Sequence, residues 1–431
     1  MFTGSDSRPA MHRRHFLATA GLAVAAASQN LCGAESSGKV SIAEAFDKEM
    51  EAFMAERSVP GGALAVLKER RLVYARGYGF ADRDKKIAAQ PDSLFRIASI
   101  SKPFTAVAVF KLIEQGKLSL DTKAFAVLGL PAEGKPFADP RLGDITILQL
   151  LQHTGGWDRG KSFDPMFRPR QIARDMGTSA PASPEAVIQY MIARPLDFDP
   201  GTRCAYSNFG FCVLGRIIEK LSGQPYDTFV REQVLKPAGI TRMRIGASLD
   251  GKQAPGEVRY YTQEEGLARN VFAEDGERVP RPYGGFHLEA MDAHGGWIAS
   301  AIDLARFAAA LRDPSDSPLL KRASFEAMYA PPPPPVSRRK DGTLEPTFFA
   351  CGWAVRPMGK GTAHYWHNGS LSGTWTLLVR RADGLSWAAL FNQRTENGKH
   401  SDDAIDSALH RAAAAVKEWP KTDLFPRWAK S

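Results

Sequence analysis

The sequence predicts an α+β fold, in which an antiparallel sheet drawn from both ends of the chain is flanked by helices and a mostly helical lobe is inserted in the middle. Three observations predict it. β-rich runs, "GGALAVLKE" and "LVYARGYGF", stand near the beginning. A second set, "CGWAVRPM", "AHYWHNG", "GTWTLLVRRADG" and "LSWAALFNQ", fills the last third. Between them apolar residues recur every three to four positions, with Gly or Pro as stops. No internal repeat or long polar linker divides these parts, so residues 41–425 are expected to form one domain. Its α/β lobe covers about 41–120 and 290–425, and its helical lobe about 121–289. Clefts form between such lobes.

Taken in order, residues 1–40 read as an export signal and a flexible leader. In "HRRHFLATAGLAVAAAS", Arg13 and Arg14 precede a short apolar stretch that ends in small residues, the pattern of a twin-arginine signal. That stretch is shorter than the roughly 20 residues a membrane-spanning helix needs. The expected mature protein is therefore periplasmic or extracellular and has no stable membrane span. Cys32 follows Leu31, where a lipid-attachment site needs a small residue.

"SIAEAFDKEMEAFMAER" carries Ile42, Phe46, Met50, Phe53 and Met54 at helical spacing behind Ser41, a capping residue. The two early β runs follow as a hairpin, and then "RIASISKPFTAVAV" opens a helix that ends near Gly116. "ITILQLLQH", "PEAVIQYMIAR", "FGFCVLGRIIEKLSG", "YDTFVREQVLKPAG" and "DLARFAAALRD" supply further helices. Pro331 to Pro335 read as an extended surface spacer. After the late strands, "SDDAIDSALHRAAAAVKEW" closes the domain as a helix. "DRGKSFDPMFRPR" and "RPYGGFHLEAMD" are expected to be loops rimming the cleft.

Composition bounds the function. The chain has 431 residues, 44% hydrophobic and 24% charged, which is ordinary for a globular protein with a large core. The net charge of +9 is spread among alternating acids and bases and forms no basic stripe, which argues against nucleic acid as a partner. Four cysteines, Cys32, Cys204, Cys212 and Cys351, are too few and too irregular for a disulfide framework or a zinc site, and they read as free thiols. No Gly-x-Ser-x-Gly elbow and no phosphate-binding loop occurs. His364 and His367, three apart on a strand, face opposite sides and make no metal pair. His153 reads as a residue that satisfies backbone groups at a helix end.

Three short boxes carry the candidate chemistry. Ser99 and Lys102 lie one helical turn apart at the head of an apolar helix, where the unpaired N–H groups favour negative charge on the serine oxygen. The plain alternative is a capping serine beside an exposed lysine. Tyr206 and Asn208 sit at a loop-to-helix junction, where a cation would favour phenolate; the alternative is a buried tyrosine beside a helix cap. His367, Asn368 and Gly369 lie on a strand whose glycine permits close backbone approach, followed by Ser370; the same residues also suit a tight turn.

Together the boxes resemble the serine β-lactamase and penicillin-binding protein superfamily, and within it the branch of class C β-lactamases, family VIII esterases and D-alanyl-D-alanine carboxypeptidases. "FRIASISKPFTA", "ITILQLLQHTGGW", "DPGTRCAYSNFGFCVLGRIIEKLSG" and "HGGWIASAIDLARF" extend the likeness from about Ser41 to the last helix. The resemblance implies a β-lactamase/transpeptidase-like fold and a serine hydrolase that works through an acyl-enzyme on Ser99. Lys102 and Tyr206 would manage its proton as a coupled pair. Asn208 would orient Lys102 and the substrate. The N–H groups of Ser99 and Ser370 would form the oxyanion hole, and His367, Asn368 and Gly369 would line the substrate site. No cofactor and no metal is implied.

The third box departs from the Lys-Thr-Gly of dedicated class C β-lactamases. A histidine is mostly neutral near pH 7 and suits the carboxylate of penicillins less well than a lysine. The expected substrates are therefore small esters, amides or D-amino-acid peptides. The alternatives are a weak β-lactamase, or a non-hydrolytic module that binds or senses cell-wall fragments.

Overall fold

Seven of the eight residues of the strand Gly61–Lys68 are buried, because both faces of the sheet are covered. Leu64 and Val66 face a core shared with Phe46 and Met50 of the helix Ile42–Arg57 and with Leu409 of the helix Ala404–Ala415. Ala63, Ala65 and Leu67 face a larger core that holds Phe104 and Phe307. The period of two along one strand thus sorts the molecule into its layers. The structure, a computed structural model, describes residues 40–134, 136–263, 266–273 and 276–428. The export signal expected before them, with Cys32, lies outside the described residues.

Eight strands form the main antiparallel sheet, in the spatial order Ile87–Ala88, Arg71–Asp82, Gly61–Lys68, Leu385–Phe391, Thr374–Arg380, Thr362–Leu371, Ala354–Gly359 and Phe348–Phe349. Ala65 pairs with Ala75 of the early hairpin on one side and with Ala388 near the end of the chain on the other. The sheet is therefore built from both ends of the chain, as the sequence predicts, and the described residues form one compact unit. The predicted helices are present, including Ser101–Glu114, Ile147–Leu151, Pro184–Ile192, Asn208–Ser222 and Ala301–Ala310. No helix among the described residues is long and apolar enough to cross a membrane.

Two differences from the sequence reading have local causes. The stretch "DRGKSFDPMFRPR" is not wholly loop: a short 3₁₀ turn, Pro165–Phe167, leads into the helix Pro169–Met176. Pro169 suits the first helical position, Ile172 and Ala173 are buried, and Gly177 ends the helix at φ +64°. The helix Tyr226–Val230 passes into a wide π turn, Arg231–Leu235, and does not run on as α-helix.

The strand Thr362–Leu371 decides where the site can form. Its neighbour Ala354–Gly359 pairs with it only as far as Trp366, so from His367 onward that edge is open. The other edge is paired along Thr374–Arg380. Gly369 lies beneath the chain that leads to Ser99, and a Cβ there would stand 2.1 Å from the Ile97 carbonyl oxygen. Two threonines of the adjacent strand fix that chain: Thr374 Oγ1 donates to the Arg96 carbonyl at 2.9 Å and Thr376 Oγ1 to the Ile97 carbonyl at 3.0 Å. Gly369→Ala is expected to destabilise the protein by about 3 kcal/mol or more, the upper range for a methyl forced into a packed site. Urea unfolding of the variant against the natural protein checks this.

Candidate active site

Ser99 lies in the 3₁₀ turn Ala98–Ile100, which runs directly into the helix Ser101–Glu114. Ala98 has φ +47°, a left-handed conformation that costs a non-glycine residue about 1–3 kcal/mol. Its methyl is buried with Phe286, Leu288, Met291 and Leu371, which hold the turn in that shape. The preceding strand, Phe95–Arg96, pairs with Trp297–Ala299 in a separate three-stranded sheet. The wholly buried Arg96 braces this approach, donating to the carbonyls of Pro282 at 2.6 Å and Ala247 at 2.8 Å. Its guanidinium lies 4.2 Å from the centre of the Tyr260 ring.

Lys102 has no solvent exposure. Its Nζ donates to Ser99 Oγ at 3.2 Å, Asn208 Oδ1 at 2.8 Å and the His294 carbonyl at 2.9 Å, which uses all three ammonium hydrogens. Burial pushes its pKa well below the ordinary lysine value; Asp164 opposes that shift and Arg159 adds to it. The exposed-lysine alternative is thereby excluded. The cap of the helix Asn208–Ser222 is Ser207, whose hydroxyl accepts from Gly210 N–H, so Asn208 is free to face inward.

Tyr206 packs against the same ammonium, with Lys102 Nζ 4.7 Å and Arg159 Cζ 5.1 Å from its ring centre. His153 stacks on the ring at 4.4 Å, and Phe349 meets it edge-on at 5.7 Å. The phenol oxygen is buried and forms no hydrogen bond. Burial drives its pKa well above the usual tyrosine value, while the Ser99 hydroxyl acts in the opposite sense from beyond good hydrogen-bond geometry. The resting phenol is therefore neutral, contrary to the phenolate that a nearby cation alone would favour.

Among the third-box residues, His367 and Gly369 face the site. The imidazole of His367 centres 6.1 Å from the Tyr206 ring. Its Nδ1 lies 2.6 Å from the Asn368 carbonyl, an acceptor, which makes Nδ1 the protonated nitrogen and leaves the buried Nε2 unpaired. Burial and Lys102 push its pKa down to about 3. Asn368, expected at the substrate, is corrected by the strand's alternation: its amide points to the opposite face, towards Asp403 Oδ1 at 3.3 Å. His364 shares that opposite face and stacks with His410, as expected for residues three apart on a strand. Ser370 accepts at Oγ from Arg394 at 3.3 Å. His153 does not serve its own helix end as expected: its Nδ1 accepts from the N–H of Ser207, 54 residues on, at 3.2 Å, and its ring forms the wall behind Tyr206.

Sequence reasoning missed three groups: Asp164, which accepts from Asn208 Nδ2 at 2.7 Å; the His294 carbonyl on Lys102; and Arg159 over the Tyr206 ring. None has a signature of its own in the sequence. Cys204, Cys212 and Cys351 are free thiols.

The sequence profile of the Beta-lactamase family matches residues 46–412. The chain belongs to the beta-lactamase family. It is 25% identical over 362 residues to penicillin-binding protein 4* of Bacillus subtilis, covering 83% of this chain and 73% of that one. It is 30% identical over 256 residues to esterase EstB of Burkholderia gladioli, covering 57% and 60%. A putative fimbrial assembly protein FimD of Dichelobacter nodosus is 33% identical over 235 residues, 53% of this chain, and the chain spans about half the length of that relative. Among solved structures, the octameric penicillin-binding protein homologue from Pyrococcus abyssi has TM-score 0.65 at 24% identity, covering 87% of this chain and 78% of that one. The D-amino acid amidase from Ochrobactrum anthropi SV3 has TM-score 0.65 at 20% identity, covering 87% and 98%. The fold of this family member is thus the β-lactamase/transpeptidase-like one.

The buried imidazoles set a pH dependence of stability. His153, His294 and His367 all have pKa values pushed down by burial. Below the ordinary histidine value of about 6.5 the unfolded chain takes up protons that the folded one refuses. The imidazoles' contribution is therefore full above that value and is lost as pH falls, by up to about 1.4 kcal/mol per pH unit for each, partly offset by the buried Asp292 carboxyl, whose pKa is raised to about 6. Urea unfolding from pH 7.5 to 4.5 is expected to show this slope, made shallower by about one imidazole's share in His367→Asn.

Proposed function

We propose that this protein is an exported serine hydrolase, acylated on Ser99, that cleaves small esters, amides or D-amino-acid peptides. The observation that carries the reading is the buried Lys102 amine bonded to Ser99 Oγ at 3.2 Å. Burial lowers the pKa of Lys102 and so makes its neutral amine easier to reach than in an exposed lysine, and a neutral amine can accept the serine proton as Oγ attacks a carbonyl. The Oγ–carbonyl bond forms as the proton passes to Nζ. The leaving group then departs with a proton, a transfer assigned to the unpaired O–H of Tyr206, with Lys102 restoring it. Water reverses the sequence and frees the acid.

The oxyanion hole is assigned to the N–H groups of Ser99 and Ser370. The two-residue connection Ser372–Gly373 supports the second donor, because such a hairpin closes on a hydrogen-bonded pair, here Leu371 with Thr374. Alternation along the ladder then turns the Ser370 N–H away from its partner strand and towards the open edge. Asn208 is assigned to orienting Lys102, and His367 and Gly369 to lining the substrate site.

The substrate class follows from charge. An imidazole with pKa about 3 is uncharged at every physiological pH and gives no cation for the carboxylate of a penicillin. Similarity to an esterase and to a D-amino acid amidase favours the same class. Export by the twin-arginine route, read from Arg13 and Arg14, would bring the enzyme to substrates outside the cytoplasm.

Intact-mass analysis after treatment with a fluorophosphonate is expected to show one adduct, absent in Ser99→Ala. Hydrolysis of p-nitrophenyl acetate is expected to fall by on the order of 10³ or more in Ser99→Ala and in Lys102→Ala. Side by side, short esters and D-alanyl amides are expected to turn over faster than nitrocefin. Folded protein that takes no adduct and turns over none of the three would instead be a binding module.

A further inference from the structure

The acyl-enzyme reading leaves one feature of the site without a purpose, a carboxylate behind Asn208. The Asn208 side chain bridges two ionisable groups, its Oδ1 accepting from Lys102 Nζ at 2.8 Å and its Nδ2 donating to Asp164 Oδ2 at 2.7 Å. Asp164 is fixed on its far side, where Oδ1 accepts from Met166 N–H at 3.1 Å and caps the 3₁₀ turn Pro165–Phe167. The three side chains thus form a continuous chain of ammonium, amide and carboxylate, anchored to backbone at both ends by the Met166 N–H and the His294 carbonyl.

An amide has chemically different ends, and an ionised carboxylate only accepts; burial raises the pKa of Asp164, while the Asn208 amide, the Met166 N–H, Arg159 and Lys102 all act to keep it ionised. Asp164 therefore requires the NH₂ of Asn208, which leaves the amide oxygen for Lys102. A neutral amide or hydroxyl at position 164 could satisfy either end of Asn208. The turned orientation would set an NH₂ against the lysine and leave a buried donor unpaired. We propose that Asp164 is a positioning residue for Lys102 that acts through the side-chain amide of Asn208, a proposal that rests on the acyl-enzyme reading above.

The charges around Lys102 fit this role. The exposed Arg159 is a cation 5.1 Å from the centre of the Tyr206 ring. His153, His294 and His367 are pushed towards neutrality by burial, and so is the Tyr206 phenol. The Asp164 carboxylate raises the pKa of Lys102 against burial and Arg159. Taking its charge away lowers that pKa. The limb of a pH–rate profile that reports Lys102 then moves to lower pH, whichever protonation state of the lysine is the active one.

The test uses the full chain and two variants. Asp164→Asn keeps the shape without the charge, and Asp164→Ser keeps a side chain able to cap Met166 N–H. For each, thermal unfolding is recorded, and the rates of fluorophosphonate labelling of Ser99 and of p-nitrophenyl acetate hydrolysis are followed from pH 5 to 10. The expected result in each variant that folds is a fall in kcat/KM of about tenfold, the effect of losing one charge-assisted contact. A shift of the Lys102 limb by about one pH unit to lower pH is expected with it. Asp164→Glu, which restores the carboxylate, is expected to move the limb back towards its natural position. Labelling of the natural protein together with a pH limb that stays in place in the folded variants overturns this proposal alone. A natural protein that is never labelled removes the acyl-enzyme reading, and this proposal with it.

Discussion

The ammonium group of Lys102 sits where water does not reach, and a buried charge is tolerated only when its hydrogens are taken up. Three separate segments supply the acceptors: the turn holding Ser99, the start of the helix Asn208–Ser222, and the carbonyl of His294. Each must reach its position for any of them to be satisfied. The middle of the chain is in this way tied to the helix Ser101–Glu114. Further along the same helix, Thr105 Oγ1 bonds the Ala293 carbonyl at 2.6 Å, so the His294 turn is held at two successive carbonyls.

A second constraint registers the sheet against that turn. Ala98 is kept in a left-handed conformation by apolar packing, and the carbonyls of Arg96 and Ile97 are held by Thr374 and Thr376. Gly369 lacks the side chain that would keep the strand Thr362–Leu371 from passing under Ile97. Strain and close approach therefore meet at one place, the backbone on either side of Ser99. Rigidity there sets the serine oxygen relative to the open edge of the sheet, where an incoming carbonyl would need its donors.

Around these fixed points most of the titratable side chains are buried. Imidazoles at His153, His294 and His367 are held neutral, the Tyr206 phenol is held protonated, and the unpaired Tyr206 O–H and His367 Nε2 are a donor and an acceptor without partners. Buried polar atoms in that state are costly. Their cost is offset when a ligand or a water brings matching groups.

Much of this was legible in the sequence. Period-two runs at both ends and period-3.6 runs between them specify the sheet and its helices, because alternation and helical spacing are local consequences of where apolar side chains can be buried. Ser99, Lys102, Tyr206, Asn208, His367 and Gly369 were identifiable because each box is short and local. The sequence could not disclose that Asp164 backs Asn208 or that a carbonyl from the "HGG" turn completes the lysine's shell. Those facts depend on contacts between segments 44 to 192 residues apart. Chain pattern determines which elements form and which faces they bury. Only tertiary packing decides which polar groups then meet, because a buried charge selects its partners by distance in space and not by order along the chain.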